Sequence, residues 1–472
     1  MCGIVGYVGK AQAAPIILDG LSKLEYRGYD SAGMAVFGEK RIQIEKSVGR
    51  LKVLEELTHD GATMPGQIGI GHTRWATHGA PSDVNSHPHY NSEETIAVVH
   101  NGIIENYIPL KNKLMKKGYH FVSETDTEVL AHLLDYYYKG NPLEAITKVL
   151  HRVEGSYALG ILFADYPDTL YAVRKDSPLI VGKSDDGCFI ASDVPAILKY
   201  TRNVYYVDNQ EVACMTADSL RFYTVDEEEL EKESVTIEWD ASAAEKGGYE
   251  HFMMKEIMEQ PEVLNKTIQP RLTDTDIKLD EISLTEEEIK NCGRIHIVAC
   301  GTAMHAGIVG RYVMEEVARI PVEVDIASEF RYRNPILNKG ELCIIISQSG
   351  ETADTLAALR EAKRQGLKVI SIVNVVGSSI ARESDDVIYT WAGPEIAVAS
   401  TKGYTTQVSI LYLIALHFAK VRGTMTEAAF QAAVKELHEL PAKAEEVLKV
   451  DARIAEIAKK YANRENAFII GR

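Results

Sequence analysis

Short apolar runs recur along the first 240 or so residues, each only four to seven positions long. Residues 4–8, 68–71, 96–100, 157–163, 169–173 and 204–207, with the shorter run 35–37, are read as strands. Between them the apolar positions fall at helical spacing over residues 11–25 and 127–138, and Asp126 or Thr127 is placed to cap the second helix. This first part is therefore expected to mix α and β.

The pattern changes after Asp240. The stretch ASAAEKGG is small, polar and glycine-containing, which suits a linker. Residues 249–272 are helical in pattern but carry Pro261, which predicts a break or kink there. From Arg294 onward apolar strands alternate with helices. RIHIVA runs into CGTAMHAG and a helix to Ala318. VEVDIA is a strand, ELCIIIS is a strand turning at QSGET into a helix to Gln365, and LKVISIV is a further strand. That alternation predicts a parallel, doubly wound sheet. RENAFIIGR at the end resembles GRIHIVACG, so a second copy of this unit is expected to begin there, reached through a helical connection from Met425.

Composition narrows the function. Lys plus Arg number 51 against 68 Asp plus Glu, a net charge of −17. So acidic a chain disfavours non-specific binding to nucleic acid or to an anionic membrane, while leaving room for a local anion cradle. No apolar run is long enough to span a membrane, and MCGIVGYVGK lacks the basic start of a signal peptide. The six cysteines form no C-x-x-C pair, so neither a metal site nor a disulfide scaffold is expected. A reduced, cytoplasmic setting follows.

The position of Cys2 carries chemistry. Methionine is usually trimmed before a small residue, and the α-amine so exposed on Cys2 titrates near about 7.7–8.0. It can take the thiol proton, so one residue supplies both nucleophile and base. Three further segments supply complementary groups. In GHTRWATHG, Arg74 can grip a carboxylate and Thr77 and His78 can donate hydrogen bonds. In HNGIIEN, the Asn101 amide and Gly102 N–H can form an oxyanion hole. In SETDTE, Asp126 can pair with an ammonium group. His72, His87, His89 and His100 are read as structural hydrogen-bonding residues. A carboxylate grip, an ammonium grip, an oxyanion hole and a thiolate together suit an amino acid with a side-chain amide.

CGIVGY, EYRGYDSAG, HTRWATHG, HNGIIEN and SETDTE, in that order, resemble the class II glutamine amidotransferases over about the first 240 residues. The resemblance implies the N-terminal-nucleophile hydrolase fold, two β-sheets between helical layers in an α-β-β-α sandwich. It implies Cys2 as nucleophile, Asn101 and Gly102 as oxyanion hole, and Arg74, Thr77, His78, Gly102 and Asp126 as glutamine ligands. It also implies that Trp75, among those ligands, gates the path by which ammonia leaves.

SQSGET follows an apolar strand and opens a helix. Ser347, Ser349 and Thr352 offer hydroxyls, Gln348 an amide, and the helix start free N–H groups, a cradle for a phosphate dianion without any basic residue. Thr302, in CGTA, occupies the same topological place one strand earlier; Cys300 beside it is assigned to packing. CGTA, SQSGET and EIAVASTKGYTTQ resemble the sugar isomerase (SIS) domains of amidotransferases that act on fructose 6-phosphate. That resemblance implies Thr302, Ser347, Gln348, Ser349 and Thr352 around a sugar phosphate, with the backbone near Val398 closing one side. Two departures stand out. Ala303 replaces a serine usual in the family. The family chain also continues beyond Arg472 with residues for isomerisation, so a chain of this length is expected to be competent only as a glutaminase.

The expected organisation is thus a glutaminase domain over residues 1–240, a linker and connecting helix over 241–290, a first sugar isomerase domain over 291–424, and over 425–472 a helical connection with the start of a second. Glutamine and fructose 6-phosphate are the implied substrates, glucosamine 6-phosphate and glutamate the products, with no cofactor, and a homodimer through the sugar isomerase domains is expected. Other amidotransferases fit less well: a phosphoribosyl-diphosphate enzyme needs an acidic diphosphate loop, an asparagine synthetase an S-G-G-x-D-S loop, and neither is present.

Overall fold

The computed structural model describes residues 2–25, 28–76, 78–237 and 246–468. It divides into two compact units, Met1–Glu245 and Lys246–Arg472.

Two antiparallel sheets make the first unit. Among the described residues, one has eight strands in the order Val235–Thr236, Asn203–Tyr206, Ile180–Ser184, Gly187–Ala191, Gly3–Gly9, Ile68–Arg74, Ser31–Phe37 and Ile42–Val48. The other has seven, in the order Glu229–Leu230, Leu220–Tyr223, Glu211–Met215, Leu170–Lys175, Gly155–Phe163, Ile96–Ile104 and His89–Tyr90. Side chains alternate across each strand, so each sheet has two apolar faces to cover. Ile4, Val8, Ile68, Ile70, Ala97, Val99, Leu170 and Ile190 meet in one cluster between the sheets. The opposite face of the second sheet, with Ile96, Val98, Leu159 and Ile161, packs on helices Glu128–Tyr137 and Pro142–Leu150. Helix Ala13–Ser22 covers the outer face of the first sheet. The result is the α-β-β-α sandwich of the N-terminal-nucleophile hydrolases.

The second unit is built on one parallel sheet in the order Val322–Ile326, Ile295–Ala299, Leu342–Ser347, Lys368–Val373 and Asp386–Tyr389. Its central strands are buried on both faces, hence the unbroken apolar run CIII. Ile295, Ile297, Ile344 and Ile346 face helices Gln260–Ile268, Gly301–Val313 and Lys402–Arg422; Val298, Cys343 and Ile345 face helix Ala353–Arg364. The chain is therefore doubly wound.

Several expectations need amendment. Pro261 does interrupt the helical stretch, lying in the first turn of Gln260–Ile268 just after Phe252–Met258 ends. Yet much of the expected linker region is core, because Leu264, Ile268, Ile277, Leu279 and Ile289 pack into the second unit. The connection after Met425 forms helices Glu427–Leu448 and Asp451–Tyr461. Residues 464–468 form no strand, and 469–472, where the strand of a second copy was expected, lie outside the described residues, as do residues 241–245 of the expected linker.

Candidate active site

Strand alternation brings the first set of candidate residues together. Cys2 precedes Gly3–Gly9 and shares the parity of Ile4 and Val8, which face the second sheet. On the neighbouring strand, paired with Gly3 at Thr73, His72 and Arg74 share the parity of Ile68 and Ile70. On the opposing sheet Asn101 shares the parity of Ala97 and Val99. Four polar side chains thus continue an apolar inter-sheet face at one end of the sandwich.

The Cys2 thiol has backbone partners. Its Sγ accepts from the Trp75 N–H at 3.2 Å and lies 3.5 Å from the Trp75 carbonyl. Burial pushes the thiol pKa up; the Trp75 N–H and the nearby Arg74 guanidinium work the other way. Asn101 Nδ2 donates to the Cys2 carbonyl at 2.9 Å, and Asn101 Oδ1 accepts from His72 Nε2 at 2.9 Å. Gly102 has φ +127°, and a Cβ there would stand 2.1 Å from the Ser156 carbonyl oxygen, so the position admits only glycine.

Arg74 is buried, and one Nη donates to the carbonyls of His78 and Gly79, while the other is buried without a partner. Asp126, also buried, lies close enough to act on Arg74 electrostatically. An unpartnered guanidinium N–H and a carboxylate near it are groups that can hold the two charges of an amino acid. The His78 ring packs edge-on against Tyr107, and Trp75, 42% exposed, packs edge-on against Tyr29. Thr77 lies outside the described residues.

The expected helix cap is replaced by other bonds. Asp126 Oδ2 accepts from the Ile104 N–H at 2.8 Å. Thr127 precedes helix Glu128–Tyr137 but makes no side-chain cap bond; its hydroxyl instead meets His87 and His100, at 3.0 and 2.8 Å. His89 meets Thr125 at 3.0 Å. All four histidines are buried and hydrogen-bonded, and burial holds each ring pKa below its ordinary value.

In the second unit, Thr302 and the 347–352 turn stand at the C-terminal ends of Ile295–Ala299 and Leu342–Ser347, adjacent strands at which the chain order reverses. Such a switch point opens a crevice for ligands. Ser347 Oγ accepts from Gly350 N–H at 3.0 Å and lies 3.2 Å from Thr352 Oγ1; Ser349 Oγ accepts from Glu351 N–H. Thr352 precedes helix Ala353–Arg364 without capping it through its side chain. Among the described residues no hydrogen bond ties Thr302 or Val398 to this turn. Val398 is exposed on a segment held by two carboxylates that sequence reasoning missed. Glu256 accepts from Ile396 and Ala397 N–H at 2.5 and 3.0 Å, and Glu395 accepts from Thr401 and Gly403 N–H at 2.9 Å. Ala303 is half-buried against the apolar core, so its methyl has a packing role where a serine was expected.

Comparison with known proteins places this geometry. A glutamine amidotransferase domain model matches residues 72–199 and a SIS domain model residues 288–417. The chain is 59% identical over 473 residues to the glutamine–fructose-6-phosphate aminotransferase (isomerizing) of Caldanaerobacter subterraneus subsp. tengcongensis, covering 100% of this chain and 78% of that protein. It is 58% identical, with the same coverage, to the enzyme of that name from Clostridium acetobutylicum. Among solved structures, the C-terminal domain of glucosamine-fructose-6-phosphate aminotransferase from Francisella tularensis is 42% identical, with a TM-score of 0.45, over 47% of this chain and 62% of that one.

Proposed function

The chain belongs to the glutamine–fructose-6-phosphate aminotransferase (isomerizing) family, and from that premise we infer which of its residues perform which step. The family reaction moves the amide nitrogen of glutamine to fructose 6-phosphate and yields glucosamine 6-phosphate and glutamate.

In the first unit Cys2 is the nucleophile. The observation that carries this is the thiol's surroundings: among the described residues its hydrogen-bond partners are backbone groups of Trp75, with no side-chain base bonded to it. With Met1 removed, the α-amine of Cys2 takes the thiol proton, and the thiolate attacks the glutamine amide carbon. Arg74 holds the substrate carboxylate and Asp126 its ammonium group, with Thr77 and His78 as further ligands. Negative charge on the amide oxygen meets Asn101 Nδ2–H and Gly102 N–H. The C–N bond breaks as the α-ammonium returns its proton to nitrogen, releasing ammonia past Trp75 and leaving a thioester. Water then hydrolyses the thioester to glutamate and restores the thiol.

In the second unit Ser347, Gln348, Ser349 and Thr352 receive the phosphate of fructose 6-phosphate, with Thr302 and the backbone near Val398 bounding the sugar. Hydroxyls and the start of helix Ala353–Arg364 neutralise the dianion there. The same reading includes a cytoplasmic setting and a homodimer through the sugar isomerase domain; a light-scattering mass of twice the chain would support the dimer, and a single chain mass would exclude it.

The test is glutamate release from glutamine with and without fructose 6-phosphate, beside Cys2→Ala. Release that disappears in the variant supports the mechanism. Release that persists, or a processed and folded wild-type chain that releases none, overturns it.

A further inference from the structure

Asn101 sits in a chain of hydrogen bonds whose direction is fixed at both ends. At one end the His100 backbone carbonyl, which can only accept, lies 3.0 Å from His72 Nε2. Nε2 therefore carries the ring proton. The same nitrogen lies 2.9 Å from the Asn101 side chain, whose facing atom must then be the acceptor Oδ1. At the other end the Asn101 amide nitrogen lies 2.9 Å from the Cys2 carbonyl, again an obligatory acceptor. A flipped carboxamide would set N–H against N–H and oxygen against oxygen in a buried site, losing both bonds.

His72 is suited to hold this direction. It is fully buried and reaches from Ile68–Arg74 in one sheet to Ile96–Ile104 in the other. The His87 ring lies 4.1 Å away, centre to centre, and confines it. Its Nδ1 is buried without a partner, so a second ring proton would have nowhere to bond. Burial above all pulls the ring pKa down to about 3. The imidazole stays neutral and does not serve as a base.

We infer that His72 is a positioning residue for the oxyanion hole: its Nε2–H locks the Asn101 carboxamide so that a donor, and not the carbonyl oxygen, is presented beside the Cys2 thiol. Nδ2 has two hydrogens. One is held by the Cys2 carbonyl, and the other is left for the oxyanion. The inference rests on the assignment of Cys2 and Asn101 above.

The experiment compares glutaminase kinetics of His72→Leu, His72→Gln, Asn101→Ala and the double variant His72→Leu/Asn101→Ala. Glutamine carries an amide nitrogen the same number of bonds from Cα as Nε2, so it restores the donor; leucine does not. His72→Leu is expected to lower kcat by about 10–100-fold with KM for glutamine changed less than about threefold, since the loss falls on an interaction made in the transition state. His72→Gln is expected to recover most of that loss. In the Asn101→Ala background, His72→Leu is expected to change kcat by less than about threefold, because no carboxamide remains to orient. Effects that multiply, or a glutamine variant as slow as the leucine one, overturn the inference. If Asn101→Ala itself leaves kcat intact, the oxyanion-hole assignment fails; if Asn101→Ala is slow and His72→Leu is not, only the inference fails. The wild-type chain gives a readout independent of whether His72→Leu folds. In ¹⁵N-histidine spectra, assigned by the signal missing from His72→Gln, His72 should remain the neutral Nε2–H tautomer from about pH 6 to 8. An Nδ1–H tautomer or an imidazolium there refutes the inference.

Discussion

Replacing Gly102 with alanine tests the oxyanion hole through backbone geometry alone. The added Cβ would lie 2.1 Å from the Ser156 carbonyl oxygen and 2.7 Å from its carbon. These atoms belong to Gly155–Phe163, the strand paired with Ile96–Ile104 in the register Gly102↔Tyr157 and Ile103↔Ser156. No side-chain rotation relieves the clash, so the two strands must part by about 0.9 Å to regain the 3.0 Å that real Cβ contacts need. Alanine at φ +127° adds backbone strain. Strain of about 1–3 kcal/mol and one weakened ladder bond of about 1 kcal/mol give a stability loss of about 2–4 kcal/mol. The kinetic effect is of the same size in free energy but is read directly in the rate. A displacement near 1 Å in a catalytic donor costs about 10²-fold in rate, or about 2.7 kcal/mol. Glutamate release under saturating glutamine should therefore fall by about 10²-fold. Alkylation of Cys2 by iodoacetamide should keep its rate within a fewfold, since its contacts with Trp75 are not disturbed. A folded Gly102→Ala protein with kcat within about threefold of wild type would refute the placement of this N–H in the hole.

Two further outcomes are expected. Ser347→Ala removes the acceptor for Gly350 N–H and one cradle hydroxyl, so calorimetry should show fructose 6-phosphate bound about tenfold more weakly, a loss of about 1.4 kcal/mol; unchanged affinity would exclude Ser347 from the cradle. His72, His87, His89 and His100 all have depressed ring pKa values in the folded chain. The unfolded chain therefore binds more protons below about pH 6.5, and the first unit loses stability as pH falls through that value, by up to about 1.4 kcal/mol per pH unit for each ring. Urea midpoints that stay flat between about pH 7 and 5 would contradict the buried, neutral cluster.

Much of the fold was legible because its apolar runs are short and bounded. The parallel sheet of the second unit followed from strands alternating with helices, although helix Ala327–Tyr332 and strand Asp386–Tyr389 went unread. The strand Ile42–Val48 was missed because Gln43, Glu45 and Lys46 dilute its pattern at the edge of a sheet. Lys46 reads as a solvated charge but donates to the carbonyls of Val84, Ser86 and Pro88. The hairpin formed by Ile180–Ser184 and Gly187–Ala191 was readable in principle, since IVGKSDDGCFIA sets the polar pair Asp185-Asp186 between two short apolar runs. The proposed glutaminase residues were picked out by side-chain chemistry, whereas the bond from His72 to Asn101 depends on which strands face each other across two sheets. Period-two counting puts His72 on the face of Ile70 and Asn101 on the face of Val99, but no local signal says that those faces meet. The misassigned cap at Asp126 has the same origin: a short acidic side chain before a helix looks local, and its partner is Ile104, 22 positions away.

The sandwich has a consequence for how this catalyst wears. Cys2 and Arg74 go with one sheet, Asn101 and Gly102 with the other, and neither sheet alone contains the proposed site. The filling between them, Ala97, Val99, Ile190 and their neighbours, acts as a shim that sets the gap across which the proposed thiol and oxyanion donors must agree. Close-packed interiors transmit a change of one methylene as a shift in spacing. Turnover is therefore a finer gauge of that gap than melting temperature. Conservative substitutions deep in the filling, far from any substrate, should slow the chemistry in a protein that still folds.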